Sequence, residues 1–140
     1  FKNAVLIDAT NFRKEVYPYL RKRFALGLVA DQKPAQPRAA YWVPFFGKLT
    51  PFVFGPEKMS KGSNTAVAYL HFYPVKRGYY NLHYQVVTTT PKNFADGMLT
   101  KKIIEITEEC IRKQPAAYLW SHNRWKWQFS EEEYGDFVVK

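Results

Sequence analysis

The sequence predicts a single α/β domain over residues 1–140, with a mainly parallel sheet, flanking helices and a hairpin. Residues 4–7 and 25–30 are continuous apolar runs typical of buried strands, and a helical pattern separates them. Residues 93–114 repeat apolar side chains at steps of three and four, which indicates an amphipathic helix. Residues 65–75 and 79–87 flank Lys76-Arg77-Gly78, a turn that favours a hairpin.

The first thirty residues carry the argument for a parallel sheet. Between the two apolar runs, Thr10 is a good N-cap, and apolar side chains follow it at helical spacing over about residues 10–23. Pro18 lies inside this pattern, where we expect a kink. Strand, helix and strand within about thirty residues predict a βαβ unit, whose strands are parallel.

The remaining elements follow in chain order. Residues 31–38 form a basic, Pro-rich loop at the carboxyl end of the second predicted strand, which is where open α/β sheets bind ligands. An aromatic stretch covers residues 41–46, and a short helix is expected with Pro56 near its start and Gly62 near its end. The long helix is predicted over about residues 94–114, where Pro115 stops it.

Charge is distributed unevenly along the chain. The net charge is +9, and residues 1–92 hold 14 Lys and Arg against 4 Asp and Glu. A one-sided positive field attracts nucleic acid, anionic lipid surfaces or phosphorylated ligands, and charge alone does not choose among them. No apolar run approaches the ~20 residues of a membrane span, so a membrane role would be peripheral or anchored by sequence outside this chain.

The residues themselves indicate no catalytic centre. None of His71, His83 and His122 has a nearby acid that would orient an imidazole, so structural or surface roles are favoured. Cys110 is the single cysteine and lies on an apolar helix stripe, which predicts a buried, inert thiol. Nucleophile, phosphate-loop and dinucleotide motifs are absent from the sequence, as are metal-spaced clusters, so we predict no catalytic residue, metal or cofactor here.

Two groups of motifs carry a family resemblance that spans about residues 4–127. The first is Ala30-Asp31-Gln32 with Pro34, then Trp42-Val43-Pro44-Phe45-Phe46-Gly47, Thr50-Pro51 and Gly55-Pro56-Glu57-Lys58. The second, more specific, is Pro115-Ala116-Ala117-Tyr118-Leu119-Trp120-Ser121-His122-Asn123-Arg124-Trp125-Lys126. Together they resemble the lipid A biosynthesis (lauroyl/myristoyl) acyltransferases. Trp125 stands where that family usually has Phe, and Asn123 stands where a basic residue is common.

The resemblance implies a partial domain, the C-terminal half of a glycerolipid or lipid A acyltransferase-like fold. Full enzymes of the family carry a membrane anchor and a His-x4-Asp/Glu motif upstream, and both are missing from these residues. The implied activity is acyl transfer from an acyl carrier protein or acyl-CoA donor to a glycolipid acceptor, with this fragment inactive. The implied location is an anionic membrane surface, the cytoplasmic face of the bacterial inner membrane.

The resemblance also selects seven candidate substrate-binding residues. They are Asp31, Lys33, Arg38, Lys58, Lys61, His122 and Arg124. Lys and Arg are the side chains that bind phosphate, Arg through two parallel hydrogen bonds and Lys as a point charge. The competing interpretation is that Asp31 makes a turn, that the cations are solvated, and that His122 and Arg124 clamp the last helix to the sheet.

Other functional classes stay open at this point. A basic, aromatic-rich nucleic-acid-binding module is the main alternative, although the aromatic residues accompany prolines and apolar residues rather than alternating with Lys and Arg. A non-catalytic interaction domain on an anionic membrane is the other, and we expect no nucleic acid as partner. Because the chain is expected to be a partial domain, we also predict an exposed apolar face, which a second copy would cover in a homodimer.

Overall fold

The computed structural model describes residues 4–140 and contains, in that range, four helices and two small sheets. The helices are α1 (Phe12–Val16), α2 (Gly55–Ser63), α3 (Met98–Lys113) and α4 (Glu131–Tyr134). The strands are β1 (Ala40–Phe45), β2 (Lys48–Val53), β3 (Val67–Lys76) and β4 (Tyr79–Thr88). Single 3₁₀ turns precede α1, β1 and α3 and follow α1, α3 and α4.

The predicted mainly parallel sheet is wrong. β1 pairs with β2 and β3 pairs with β4, and both two-stranded sheets are antiparallel. Residues 4–7 and 25–30 form neither helix nor strand, and Leu6 and Val29 are 99% and 78% exposed. A strand exists only where a neighbour satisfies its backbone groups. The apolar runs supply the side chains of a buried strand, but no described segment pairs with them.

The predicted helix over residues 10–23 is much shorter in the structure. Its α-helical part, α1, ends at Val16, and Tyr17–Tyr19 continue as one 3₁₀ turn. Pro18 has no N–H to donate, and its ring is incompatible with a regular helix interior. The proline therefore ends the helix, although the apolar spacing continues beyond it.

Three predicted elements are confirmed: the short helix at Pro56, the long helix and the hairpin. α3 begins at Met98 because Gly97, its N-cap, has a positive φ of 82°. A Cβ at this position would also collide with the side chain of Val139. In the hairpin, β3 and β4 are joined through Gly78, whose φ of 79° suits the tight turn.

A second hairpin, β1–β2, lies where the sequence indicated only an aromatic stretch. Its turn is Phe46-Gly47, and both residues have positive φ, 50° and 77°. This is the backbone combination of the two-residue turns that match strand twist. Phe46 accepts the unfavourable conformation because its N–H donates to Glu108 on α3 at 2.7 Å. Burial acts to raise the pKa of Glu108, but this amide and the Arg112 guanidinium hold it below its ordinary value.

The core lies between the β1–β2 hairpin and α3. Its buried side chains come from β1, β2, α3 and the C-terminus: Val43, Phe45, Phe52, Ile104, Ile111 and Val139. The C-terminus is held by the Val139 N–H, which donates to the carbonyl of Trp42 at 3.0 Å. These contacts fix β2, and β2 is the strand against which the candidate site is assembled.

The expected exposed apolar face lies on the β3–β4 hairpin. Side chains alternate between the two faces of a strand. Between the register shifts at the two ends of β3, the pairing places the even-numbered residues of 68–74 and of 80–86 on one face. We call this set the apolar face; its members are all exposed and comprise Ala68, Leu70, Phe72, Pro74, Tyr80, Leu82, Tyr84 and Val86. Within residues 4–140, no helix is both long and apolar enough to cross a bilayer.

Candidate functional site

The candidate site is built from two segments that lie about ninety residues apart in sequence. The first is the basic loop, residues 31–38, which ends in the Pro37–Ala39 turn before β1. The second is the closing segment, residues 118–127, which follows the 3₁₀ turn after α3. Neither has long regular structure, so side chain to backbone contacts define their conformations.

His122 and Lys33 are in direct contact. The Lys33 N–H donates to His122 Nε2 at 3.2 Å, which places the proton of a neutral ring on Nδ1. The contact uses the backbone of Lys33 and not its ammonium group. The predicted site residues His122 and Lys33 are therefore brought together, with the imidazole acting on the loop backbone.

A second ring nitrogen holds the next residue of the basic loop. Trp127 Nε1 donates to the carbonyl oxygen of Pro34 at 3.0 Å, and Pro34 is buried. Trp127 is not among the residues predicted from the sequence to bind substrate, and it lies just after the closing signature. The signal that would have found it is its indole N–H, a donor that needs a partner when half-buried.

Arg124 is the most deeply buried charged residue of the site, 1% exposed. Its Nη2 donates to the carbonyl of Pro51 on β2 at 2.6 Å, and its guanidinium lies 3.9 Å from the Phe52 ring centroid. Burial lowers the pKa of Arg124 to about 10, while Tyr118 and Asp31 act in the opposite direction. Arg124 therefore stays protonated at neutral pH, and the nearby carboxylate of Asp31 stabilises that charge.

Trp125 binds β2 beside Arg124. Its Nε1 donates to Thr50 Oγ1 at 3.1 Å, and its ring stacks on Phe45 at 5.9 Å between centroids. The closing segment thus has two kinds of anchor. His122 and Trp127 hold the basic loop, and Arg124 and Trp125 hold β2.

The two lysines of α2 have different surroundings. Lys61 forms ion pairs with two carboxylates, since its Nζ lies 2.9 Å from Glu57 Oε1 and 2.7 Å from Asp96 Oδ1. Lys58 is exposed and its Nζ lies 3.8 Å from the Phe54 ring centroid. Among residues 4–140 no hydrogen bond joins either lysine to the basic loop. Of the two, only Lys58 presents its ammonium to solvent.

Glu57 is a buried residue whose role sequence reasoning missed. Its carboxylate accepts hydrogen bonds from the N–H of Gly97 at 2.9 Å and of Thr100 at 2.8 Å. These are amides at the start of α3, which have no acceptor inside the helix. Glu57 therefore caps α3 from α2, and the ion pair with Lys61 compensates its buried charge.

Arg38, His71 and His83 lie apart from the contacts between the basic loop and the closing segment. Arg38 is exposed in the turn before β1, so its guanidinium is open to a ligand. His71 and His83 are direct cross-strand partners in the β3–β4 hairpin, a proximity that the sequence did not reveal. No group of three or more His, Cys, Asp or Glu side chains in the described part of the chain is arranged to hold a metal ion.

Comparison with known proteins identifies the class. A sequence model of the bacterial lipid A biosynthesis acyltransferase family matches residues 2–127. The matched region includes the basic loop, both hairpins, α3 and the whole closing segment. This chain belongs to the bacterial lipid A biosynthesis acyltransferase family, as its motifs predicted. No curated protein matches the chain closely enough to specify its role further.

Proposed function

We propose that this chain forms the substrate-facing, non-catalytic half of a membrane-associated acyltransferase. The reaction moves a fatty acyl group from an acyl thioester to a hydroxyl of a lipid A precursor or a related glycolipid. The family match over residues 2–127 is the observation that supports this chemistry. The cations of the basic loop, held in place by the closing segment, support a role in binding the phosphorylated partner.

The chemistry requires a general base that these residues do not provide. In such a transfer the base removes the proton of the acceptor hydroxyl, whose oxygen attacks the thioester carbonyl; the C–S bond breaks and the thiol leaves. Each of the three histidines is followed five residues later by a non-acidic residue, so none begins a His-x4-Asp/Glu motif. We therefore propose that the base lies outside this chain and that the chain alone transfers no acyl group.

The proposed setting is the cytoplasmic face of the bacterial inner membrane, with an acyl carrier protein or acyl-CoA as donor. The excess of cations in residues 1–92 supports contact with an anionic membrane surface and with acceptor phosphates. Arg38 is the strongest individual candidate, because a guanidinium binds a phosphate through two parallel hydrogen bonds. Lys33 and Lys58 supply further positive charge.

Binding of the 140-residue chain to vesicles tests this role of Arg38. The vesicles contain a neutral phospholipid with or without a phosphorylated lipid A precursor, and cosedimentation measures the affinity. We expect Arg38→Ala to weaken binding to the precursor by about tenfold to a hundredfold, because one charge-assisted contact is worth about 1.5–3 kcal/mol. Lys76→Ala is the matched control, since it removes the same charge from the tip of the β3–β4 hairpin.

Three results would count against the proposal. If Arg38→Ala and Lys76→Ala weaken binding equally and salt removes both effects, only net charge matters and Arg38 has no specific role. If an oligonucleotide competes with the vesicles at equal affinity, the surface binds polyanions generally. If the purified chain transfers acyl groups and His122→Ala or His71→Ala abolishes the transfer, the base lies within these residues.

A further inference from the structure

The dipeptide Lys33–Pro34 is held at both ends by aromatic nitrogen atoms of one distant segment. His122 Nε2 accepts the N–H of Lys33 at 3.2 Å, and Trp127 Nε1 donates to the carbonyl of Pro34 at 3.0 Å. One contact needs an acceptor and the other a donor, so the two ring nitrogens complement the polarity of the backbone groups they bind. Residues 31–36 form no helix or strand, so these two contacts determine much of the loop conformation.

The same segment is fixed to the core on its other side. Arg124 and Trp125 bind the Pro51 carbonyl and the Thr50 hydroxyl of β2, whose residues 50–52 are buried. The closing segment therefore connects a rigid strand to an irregular loop. Displacing the loop would require breaking contacts to His122 and Trp127 while Arg124 and Trp125 keep the segment in place.

We propose that His122 and Trp127 are positioning residues, which hold the basic loop so that Lys33 and Arg38 meet an anionic substrate group in a fixed arrangement. A loop that is ordered before binding loses less conformational entropy when the ligand binds, so its cations bind the ligand more tightly than those of a mobile loop. His122 then acts through the loop backbone and not by touching the substrate. This inference rests on the proposed function for the role of the cations, but the loop geometry stands independently of it.

Amide hydrogen exchange of the 140-residue chain, followed by NMR, tests the positioning role. Trp127→Phe keeps the ring and removes the donor to Pro34; we expect exchange of the loop amides to accelerate about fivefold, the equivalent of one net hydrogen bond. Trp125→Phe is the matched control, because it makes the same change at a contact with β2. Its effect is expected at β2, with loop exchange unchanged.

Two variants of His122 separate positioning from bulk stability. His122→Gln retains an oxygen acceptor for the Lys33 N–H and should leave loop exchange and vesicle binding near wild type. His122→Leu removes the acceptor at similar size, and should accelerate exchange at Lys33 about fivefold and weaken binding to precursor-containing vesicles. If Gln fails to rescue, or if Trp127→Phe and Trp125→Phe change loop exchange equally, the positioning role is wrong.

The two readouts distinguish this inference from the proposed function. Suppose that loop exchange is faster in Trp127→Phe but Arg38→Ala does not change vesicle binding. The positioning role of Trp127 would then be supported, and the proposed binding of the phosphorylated lipid would be wrong. If loop exchange is unchanged in both His122→Leu and Trp127→Phe while Arg38→Ala weakens vesicle binding, the proposed lipid binding would be supported and the positioning role would be wrong. Circular dichroism of each variant establishes that the overall fold is retained.

Discussion

Arg124 shows how a single residue combines packing volume with a costly charge. It is fully buried and over the Phe52 ring, and its Nε and Nη1 atoms have no hydrogen-bond partner among the described residues. A buried charge without full hydrogen bonding is destabilising, whereas the volume of the side chain fills the space between the closing segment and β2. The two contributions have opposite signs, and substitution can separate them.

We predict that Arg124→Ala destabilises the chain by about 2–5 kcal/mol, because it leaves a cavity and an unpaired Pro51 carbonyl. Arg124→Met keeps most of the volume and removes the charge, so it should cost less than Arg124→Ala. Urea unfolding followed by tryptophan fluorescence measures both. If the Met variant is as unstable as the Ala variant, the buried volume contributes little, and the hydrogen bond to the Pro51 carbonyl and the charge account for the stabilisation by Arg124.

At the scale of elements, one carboxylate on α2 links this helix to the start of α3. The Glu57 carboxylate accepts hydrogen bonds from the N–H groups of Gly97 and Thr100 and from the Thr100 hydroxyl, the last at 2.6 Å. It also forms an ion pair with the ammonium group of Lys61. Removing an acceptor from several buried donors costs the desolvation of each. The start of α3 is therefore specified by a residue forty positions earlier in the chain.

We predict that Glu57→Ala destabilises the chain by about 3 kcal/mol or more, since hydrogen bonds to a charged group are worth about 1.5–3 kcal/mol each. Glu131→Ala, in the exposed first turn of α4, is the control and should change stability by less than about 0.5 kcal/mol. Thermal and urea unfolding give both values. A small effect of Glu57→Ala would mean that water replaces the carboxylate at the start of α3.

For the whole molecule, the dominant feature is the apolar face of the β3–β4 hairpin. Leu82 and Tyr84 on β4 are 52% and 68% exposed, and their neighbours on the face are similarly accessible. One buried aromatic side chain alone contributes about 150–250 Å². This face, with its three aromatic rings, is on the order of the ~800 Å² per partner that standard interfaces bury. It also contains no charged residue, so two copies can meet face to face.

We predict that the chain forms a homodimer through the apolar face, with a concentration-dependent sedimentation coefficient. Leu82→Lys places a charge in this face and should shift the chain to monomer. Asn81→Lys adds the same charge on the opposite face of β4 and should leave the dimer intact. A wild-type chain that stays monomeric at all concentrations, or equal effects of the two substitutions, would show that a second copy does not cover this face.

The sequence by itself determined the locally encoded elements and the family. The apolar period of α3, the proline at the start of α2 and the glycine turn of the β3–β4 hairpin each express a preference of a few neighbouring residues. The motifs around Asp31 and in the closing segment predicted the family that the comparison shows. These signals need no knowledge of distant contacts, which is why they could be interpreted from the chain alone.

Only the tertiary structure decided the sheet and the partners of the charged residues. Residues 4–7 and 25–30 have strand-like composition, but a strand requires a neighbour, and pairing is a property of chain topology rather than composition. Likewise, Lys61 resembled a ligand-binding cation until Asp96, 35 residues away, proved to pair with it. His122 and Arg124 bind backbone groups 89 and 73 residues away. Side-chain chemistry limits what such residues can bind, but folding selects which partner comes within hydrogen-bond distance.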